Sequence, residues 1–250
     1  MAVSKKKSID KGQKKYSVSN NGWETTTDRF VCYIDIMGFK NWVERGNHDD
    51  IYKKLKQIST VKSTLETGEI KIISFSDSIV VLSKTKSQFS FEQFISVLWF
   101  LKDSLFQNQI PFKGAISFGK MTVDFDNDIF FGQPLIDAYL LQDELLLYGI
   151  VFDAEIENYL YEGEFEKRPD AGIPISYKSS FLCPFKNGNA RHFILKGAEH
   201  ENDTAHELFL INANSFRFKT SGHLRKYIDN TINSTVQIKL QEDKKLIIKK

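Results

Sequence analysis

The chain has 250 residues, of which 41% are hydrophobic and 26% are charged, and its formal net charge at pH 7 is +2. This composition excludes an intrinsically disordered chain, and the small net charge by itself indicates no polyanionic partner. No apolar run approaches the length of a membrane span, the N-terminus lacks a signal-peptide core, and the cysteines, Cys32 and Cys183, lie far apart. We therefore expect a soluble cytoplasmic protein with reduced thiols.

The first residues differ in character from the rest. Lysines crowd this segment among Ser, Asn, Gln and Gly residues, which predicts a flexible basic tail over residues 1–26. Such tails commonly serve solubility, and contact with nucleic acid or a membrane surface is the alternative. The lysines concerned are Lys5, Lys6, Lys7, Lys11, Lys14 and Lys15.

Apolar runs and helical periodicity alternate over the next part of the chain, residues 27–160. The predicted elements are, in chain order, a strand at Val31–Phe39, a helix at Lys40–Ser63, strands at Glu69–Phe75 and Ser78–Leu82, a helix from Ser90, a strand at Phe112–Phe118, a hairpin at Gly119–Asp128, a helix from Gly132 and a strand at Ile150–Phe152. This order, β-α-β-β-α-β-α-β, predicts an α+β fold with a ferredoxin-like βαββαβ core and extra αβ elements.

Capping residues predict where two helices begin. The first helix is expected to break near Gly46, with Asp49 or Asp50 as the cap of its second part. Ser90 and Gln93 have the spacing of a capping box at the start of the next helix, whose aromatic stretch around Trp99 is expected to be core or a dimer face.

Residues 161–250 are predicted to form a loop-rich C-terminal extension of the same domain, because 161–189 holds three of the five prolines. The elements expected further on are strands at His192–Lys196 and Leu208–Ile211, a helix at Gly222–Ile232 and, at Lys244–Lys250, a short edge strand or a partner-binding segment.

Two isolated aspartates stand at the ends of predicted core strands. Asp35 lies near the end of the first strand, and Asp77 lies between Ser76 and Ser78 in a tight hairpin. A lone carboxylate at such a place is costly without a partner, so the pair suggests a shared cation. Loop capping or pairing with lysines is the alternative for both residues.

Four segments, which follow one another between Arg29 and Asp153, resemble the signatures of the class III nucleotidyl cyclases, the adenylate and guanylate cyclase superfamily. They are Tyr33–Phe39, Phe75–Ser78, Lys113–Gly119 and Phe131–Tyr139. Ser76 stands where the family usually has a glycine. Within the superfamily, these segments are most similar to the bacterial pyrimidine nucleotide cyclases of anti-phage Pycsar systems.

The resemblance implies a metal-dependent lyase that converts UTP or CTP into 3′,5′-cyclic UMP or cyclic CMP and pyrophosphate, with uridylate cyclase favoured. It further implies that Asp35 and Asp77 act in catalysis by holding two Mn²⁺ or Mg²⁺ ions, with the carbonyl of Ile36 as a further metal ligand. An oxygen-rich ligand set of this kind suits either ion.

Substrate-binding residues are implied in the same way. Gly38 and Phe39 mark a turn into a helix whose backbone N–H groups would hold the triphosphate. Lys113, where the family usually has Arg, would contact the terminal phosphates, and Lys71 is a candidate for base recognition. A solvated surface position is the alternative for both lysines.

The implied partners are the nucleoside triphosphate, a second copy of the chain in a head-to-tail homodimer, and a separate effector protein that responds to the cyclic nucleotide. No nucleic acid and no membrane span are expected. The implied role is a second-messenger enzyme in bacterial antiviral defence.

One departure from the family pattern keeps other functions open. Ile136 and Leu140 stand where the family's helix supplies an Asn and an Arg to the transition state. Either another basic residue replaces them, or the protein is a catalytically weak nucleotide sensor; a purine cyclase is a further alternative. Loose candidates for the replacement are Arg191, Arg217 and Arg225. An RNA-binding ferredoxin-like sheet would need exposed aromatic residues on strands that are predicted to be buried.

Two polar clusters look like metal sites at first sight. Asp124, Asp126 and Asp128 lack the glycine and distal glutamate of an EF-hand loop, so a solvated hairpin is expected. His200 and His206 are expected to lie in a polar surface loop rather than to bind a metal.

Overall fold

A computed structural model describes residues 22–162, 177–200, 202–219 and 221–248. Most of the predicted basic tail, residues 1–21, lies outside the described residues, as do residues 163–176 of the segment that was expected to be rich in loops.

Strands and helices alternate along the described chain. The strands are β1 (Thr26–Ile36), β2 (Ile70–Phe75), β3 (Ser78–Ser83), β4 (Phe112–Asp124), β5 (Ile129–Gly132), β6 (Gly149–Phe152), β7 (Lys178–Phe185) and β8 (Gly188–Leu195). The helices are α1 (Phe39–Arg45), α2 (His48–Leu65), α3 (Gln88–Gln107), α4 (Gln133–Glu144), α5 (Ala154–Glu162), α6 (Asp203–Lys219) and α7 (His223–Ile248), with a short 3₁₀ helix at Ala198–His200.

The strands form one mixed sheet in the order β2-β3-β1-β4-β6-β8-β7, with β5 paired to β4. Strand β1 is antiparallel to both of its neighbours, β3 and β4, whereas β4 and β6 are parallel. The arrangement β2-β3-β1-β4, with helices after β1 and β3, is the ferredoxin-like βαββαβ core. It confirms the predicted α+β fold with extra αβ elements.

The two faces of the sheet pack differently because successive side chains on a strand point to opposite sides. On one face Phe30, Cys32 and Ile34 are buried in the main core, together with the apolar side of α3. On the other face Tyr33 packs edge-on against Tyr139 of α4, with ring centroids 5.3 Å apart. Asp35 comes two residues after Tyr33 on the strand, so its side chain points to the same face of the sheet, the face that α4 covers.

The predicted break between the first two helices is confirmed, but both predicted caps were wrong. Asn47 caps α2, since its side chain accepts a hydrogen bond from the backbone N–H of Asp49 at 2.9 Å. Ser87 caps α3, and Ser90 lies buried inside the first turn, where its hydroxyl lies 2.7 Å from Glu69 Oε2. In each case a small polar residue nearer the N-terminus caps the helix.

The predictions for the C-terminal part were the least accurate. The predicted loop contains strand β7, the predicted strand at Leu208–Ile211 lies inside helix α6, and the predicted end segment at Lys244–Lys250 belongs to helix α7 as far as Ile248. Helix α5 was not predicted. The extension joins the main sheet through β8, where Ile194 pairs with Val151 of β6.

Candidate active site

Asp35 lies at the centre of a row of residues that crosses three strands. It pairs with Ser78 of β3 on one side and with Lys113 of β4 on the other. Directly opposite residues on antiparallel strands have Cα atoms about 4.5–5.5 Å apart. The register therefore places a carboxylate and an ammonium side by side at the end of the central strand.

The β2–β3 hairpin brings Asp77 to the same place. Its turn consists of Ser76 and Asp77, and Ser76 has a positive φ of 56°, a backbone conformation that a glycine adopts more easily. The backbone N–H of Ile36 donates to the carbonyl oxygen of Asp77 at 2.8 Å, which ties the hairpin to the end of β1. The two predicted metal-binding aspartates are thus neighbours in space.

The environment of Asp35 is unfavourable to a bare carboxylate. Burial raises the pKa of Asp35, Lys113 opposes this rise, and the negative charge of Asp77 adds to it. A further contribution that raises this pKa comes from Asp143 at the end of α4. A bound cation would relieve both the desolvation and the repulsion between like charges.

Lys113 is buried, with only 4% of its surface exposed, so the alternative of a solvated strand residue was wrong. Its ammonium donates to the backbone carbonyl of Asp143 at 2.9 Å and lies 3.9 Å from the Asp143 carboxylate. The ring of Tyr227, on α7, lies 6.0 Å from the same nitrogen. Burial lowers the pKa of Lys113, while Asp143 and Asp35 raise it.

Gly38 and Phe39 follow the strand that carries Asp35. Gly38 precedes helix α1 with φ 79° and ψ 7°, the left-handed region, so a side chain at this position would cost about 1–2 kcal/mol. Phe39 is the first residue of α1, whose first backbone N–H groups have no partner within the helix. Gly38 and Phe39 thus form the turn into a helix that the resemblance implies. Phosphate binding at this turn stays a prediction.

Lys71 is not part of this group. It lies on β2 four residues before Phe75, which pairs with Ser78, so the distance along the strand is about 13 Å. It lines a separate cavity of about 330 Å³ together with Glu66, Ser74 and Phe130. Base recognition by Lys71 stays a prediction.

Three residues near Asp35 were missed by the sequence analysis: Asp143, Lys186 and Tyr227. Asp143 contacts both Lys113 and Lys186, the latter through a 2.6 Å contact between Lys186 Nζ and Asp143 Oδ2. Asp143 lies on α4, Lys186 lies on the turn between β7 and β8, and Tyr227 lies on α7. No short motif relates these segments. Only the pairing of the extension with the core brings them together.

The arginines that were considered as replacements have other surroundings. Arg217 pairs with Asp229 at 2.8 Å, between α6 and α7. Arg191 lies on β8 opposite Leu182, and Arg225 is exposed in the first turn of α7. None of these contacts brings an arginine to Asp35.

The clusters that looked like metal sites are explained without a metal. Asp124 accepts backbone hydrogen bonds from Asp126 and Asn127, which closes the β4–β5 hairpin as expected. His200 is buried, at 4% exposure, beside Glu199, so its expected place in a surface loop was wrong. Within the described ranges, no group of three or more His, Cys, Asp or Glu residues could hold a metal ion.

Comparison with known proteins finds structural similarity alone. No protein-family model and no curated sequence matches the chain. The adenylyl cyclase CyaB from P. aeruginosa is similar at 15% identity and a TM-score of 0.48, over 68% of this chain and 94% of that one. The guanylate cyclase domain of RhGC from Catenaria anguillulae, described in complex with GTP, is similar at 10% identity and a TM-score of 0.46, over 68% and 96%.

The catalytic core of a rhodopsin-guanylyl cyclase with converted specificity, in complex with ATPαS, is similar at 11% identity and a TM-score of 0.49, over 68% of this chain and 95% of that one. At these values the similarity concerns the arrangement of strands and helices. It does not by itself assign a substrate.

None of the helices within residues 22–162, 177–200, 202–219 and 221–248 is both long enough and apolar enough to cross a bilayer.

Proposed function

We propose that this protein is a metal-dependent nucleotidyl cyclase that converts a nucleoside triphosphate into a 3′,5′-cyclic nucleotide and pyrophosphate. The observation that carries the proposal is the convergence of Asp35, Asp77 and Lys113 at the end of the central strands. These residues come from three segments that are distant in sequence and that resemble the family signatures.

The chemistry of the donor set fits divalent metal ions. Asp35 and Asp77 offer carboxylate oxygens, and Ile36, whose carbonyl is the further candidate ligand, follows Asp35 in the chain. Mg²⁺ and Mn²⁺ are commonly held by one or two carboxylates, with water and substrate phosphates as the other ligands. Such ions would help to deprotonate the ribose 3′-hydroxyl and would neutralise charge on the phosphates.

The remaining site residues bind and orient the substrate. The ammonium of Lys113, held against Asp143, supplies a fixed positive charge for the terminal phosphates. The turn at Gly38 and Phe39 lies at the same end of β1 and offers backbone N–H groups. Lys71, farther along the sheet, is the candidate contact for the base.

The finer assignment rests on the sequence resemblance. We propose a pyrimidine substrate, with UTP favoured over CTP, and a cyclic UMP or cyclic CMP product that acts as a second messenger in bacterial anti-phage defence. In this proposal the protein acts in the cytoplasm as a homodimer, and a separate effector protein responds to the product.

The test is to incubate purified protein with ATP, GTP, CTP or UTP and Mn²⁺, and to identify the products by mass spectrometry. A cyclic pyrimidine nucleotide that disappears in Asp77→Ala would support the enzyme and its base preference together. A cyclic purine nucleotide as product would support the cyclase activity and contradict the role in anti-phage defence. The absence of a product from every nucleotide would contradict the cyclase activity.

A nucleotide sensor is the second candidate, because Ile136 and Leu140 are 51% and 56% exposed where a cyclase of this family presents polar catalytic groups. Titration calorimetry with each nucleotide and Mn²⁺ distinguishes the two functions. A sensor would bind a nucleotide and release it unchanged, whereas a cyclase would convert it.

A further inference from the structure

We propose that the cavity between α3 and α6 is a second ligand site, which binds a small organic cation made of an ammonium group on an apolar body. This cavity is separate from the candidate active site, because α3 packs on the face of the sheet opposite to the one that carries Asp35. Its volume of about 220 Å³ equals that of about seven water molecules at about 30 Å³ each, which is too small for a nucleotide.

Three charged groups meet at the wall of this cavity. Lys102 Nζ contacts Glu199 Oε1, and the two side chains are 8% and 5% exposed although both line the cavity. A side chain on the nearby Gly197 would come within 3.0 Å of both of these groups and of the Asp103 carboxylate, which lines the cavity as well. The lysine and the two carboxylates therefore converge on the backbone of Gly197.

The two carboxylates share a single lysine, and the neighbouring groups do not change this balance. His200 Nδ1 lies 3.1 Å from Glu199 Oε1, while His200 Nε2 is buried without a hydrogen-bond partner. A protonated imidazole would leave the N–H at Nε2 unsatisfied, so we assign a neutral ring to His200. The nearby Lys196 is balanced by Glu242, 3.4 Å away. The charged groups at the cavity wall thus sum to −1, and a bound cation would balance them.

The remaining wall of the cavity is largely apolar. The rings of Phe106, on α3, and Phe209, on α6, stack with centroids 4.0 Å apart and planes 10° apart. Leu208 beside them is 57% exposed, so a ligand in the cavity would cover apolar surface that now faces solvent. Apolar walls with a few charged groups are typical of sites that fix both the body and the orientation of a small ligand.

The polar groups at the cavity select an ammonium. Lys102 and Glu199 already satisfy one another in their buried pair, whereas Asp103 is only partly buried and is the carboxylate that a ligand reaches first. The amides of Gln107 and Asn212 supply further oxygen acceptors. An ammonium donates up to three hydrogen bonds and accepts none, which matches one carboxylate and two amide oxygens. An anion would instead be repelled by the excess negative charge.

The test uses three probes of similar shape, 2-phenylethylamine, 2-phenylethanol and phenylacetate, which at neutral pH are a cation, a neutral molecule and an anion. Calorimetry measures their binding to the full-length protein and to Asp103→Asn, Asp103→Glu and Ala205→Phe, the last of which fills the cavity from α6. Asp50→Asn, at a helix aspartate that is 69% exposed, is the control. Circular dichroism checks that each variant is folded.

We expect the wild type to bind the amine at least about tenfold more tightly than the alcohol, the effect of one charge-assisted contact, and not to bind phenylacetate. Asp103→Asn should weaken amine binding about tenfold without changing the affinity for the alcohol, and Asp103→Glu should keep most of the amine affinity. Ala205→Phe should abolish binding of both probes, and Asp50→Asn should behave as the wild type.

Several results would overturn the proposal. Equal affinity of the wild type for the amine and the alcohol would overturn the assignment of a cation, and no binding of the amine would overturn the site. Amine binding that is unchanged in Asp103→Asn, or in a folded Ala205→Phe, would place the ligand elsewhere. None of these measurements involves a nucleotide, so their outcome is independent of whether the protein is a cyclase.

Discussion

Asp35 and Lys113 lie directly opposite one another on the antiparallel strands β1 and β4. Burial raises the pKa of the first and lowers the pKa of the second, so each charged form is disfavoured by the same surroundings. Their opposite charges partly compensate for this. A site that keeps such groups for binding or catalysis does so at the expense of stability.

The first prediction follows from the cost of the Asp35 carboxylate. Asp35→Asn should lower turnover at least about a hundredfold, since it removes a carboxylate that we propose as a metal ligand. Its melting temperature without metal should equal or exceed that of the wild type, because the amide is neutral. Turnover assays and thermal unfolding followed by circular dichroism measure the two effects separately.

Asp28→Asn is the matched control for that variant. Asp28 lies on the same strand, is 35% exposed and pairs with Lys86 at 3.1 Å, away from the candidate site. It should retain wild-type turnover. Full activity in Asp35→Asn would contradict the metal-ligand assignment, and a large loss of stability would show that the carboxylate has a structural partner.

The second prediction concerns Lys113. Lys113→Met keeps the apolar stem in its buried position and removes the ammonium, so KM for the nucleotide should rise about tenfold or more, with little change in melting temperature. Lys113→Ala should raise KM as well, but it also leaves a cavity. Steady-state kinetics and thermal unfolding test this, and an unchanged KM in Lys113→Met would remove Lys113 from the substrate site.

The accuracy of the sequence predictions depended on how local the signal was. The apolar run of β1 and the short β2–β3 hairpin predicted that Asp35 and Asp77 lie at the tips of two core strands, and the pairing of Asp35 with Ser78 shows that the two tips are neighbours. The residues Leu208–Ile211 are a short apolar run, which fits a strand or a buried helix equally well. Phe209 is buried while Leu208 is 57% exposed, within a helix that the run alone does not reveal.

For other features the local signal was misleading or absent. Pro184 suggested a loop, yet it lies in β7, an outer strand of the sheet, where a missing backbone N–H is tolerated. The contact between Asp143 and Lys186 joins residues 43 positions apart. It depends on the pairing of β7 and β8 with the rest of the sheet, and no periodicity or motif in the sequence encodes it.

The third prediction concerns a buried ion pair far from the candidate site. Lys102 Nζ contacts Glu199 Oε1, and the two side chains are 8% and 5% exposed. Burial raises the pKa of Glu199, and Lys102 and His200 more than offset this rise, so the pKa lies well below its usual range. Lys102→Met would remove the lysine partner of the buried Glu199 charge and should lower the free energy of unfolding by about 3–5 kcal/mol.

Urea unfolding measures this loss. Lys102→Met combined with Glu199→Gln should recover much of it, because no buried charge then remains. Lys53→Met, which removes an exposed lysine 3.8 Å from Asp50, should change the free energy of unfolding by less than about 1 kcal/mol. If Lys102→Met lowers the free energy of unfolding no more than this control does, the buried pair does not stabilise the junction between α3 and the 3₁₀ helix.

The last prediction uses Asp153, which caps helix α5 by accepting a hydrogen bond from the backbone N–H of Ile156 at 2.9 Å. Burial raises the pKa of Asp153 from 3.8 to about 6. The folded state therefore binds a proton more tightly than the unfolded state, and this group reduces stability as the pH rises from about 4 to above 6.

Asp153→Asn keeps the cap and removes the buried charge, so it should raise the free energy of unfolding at pH 7.5 by up to about 3 kcal/mol. Its advantage over the wild type should shrink as the pH falls to about 4, which urea unfolding at several pH values measures. The exposed Asp126→Asn is the control and should follow the wild type. A loss of stability in Asp153→Asn at pH 7.5 would mean that the ionised carboxylate has a favourable partner in the folded protein.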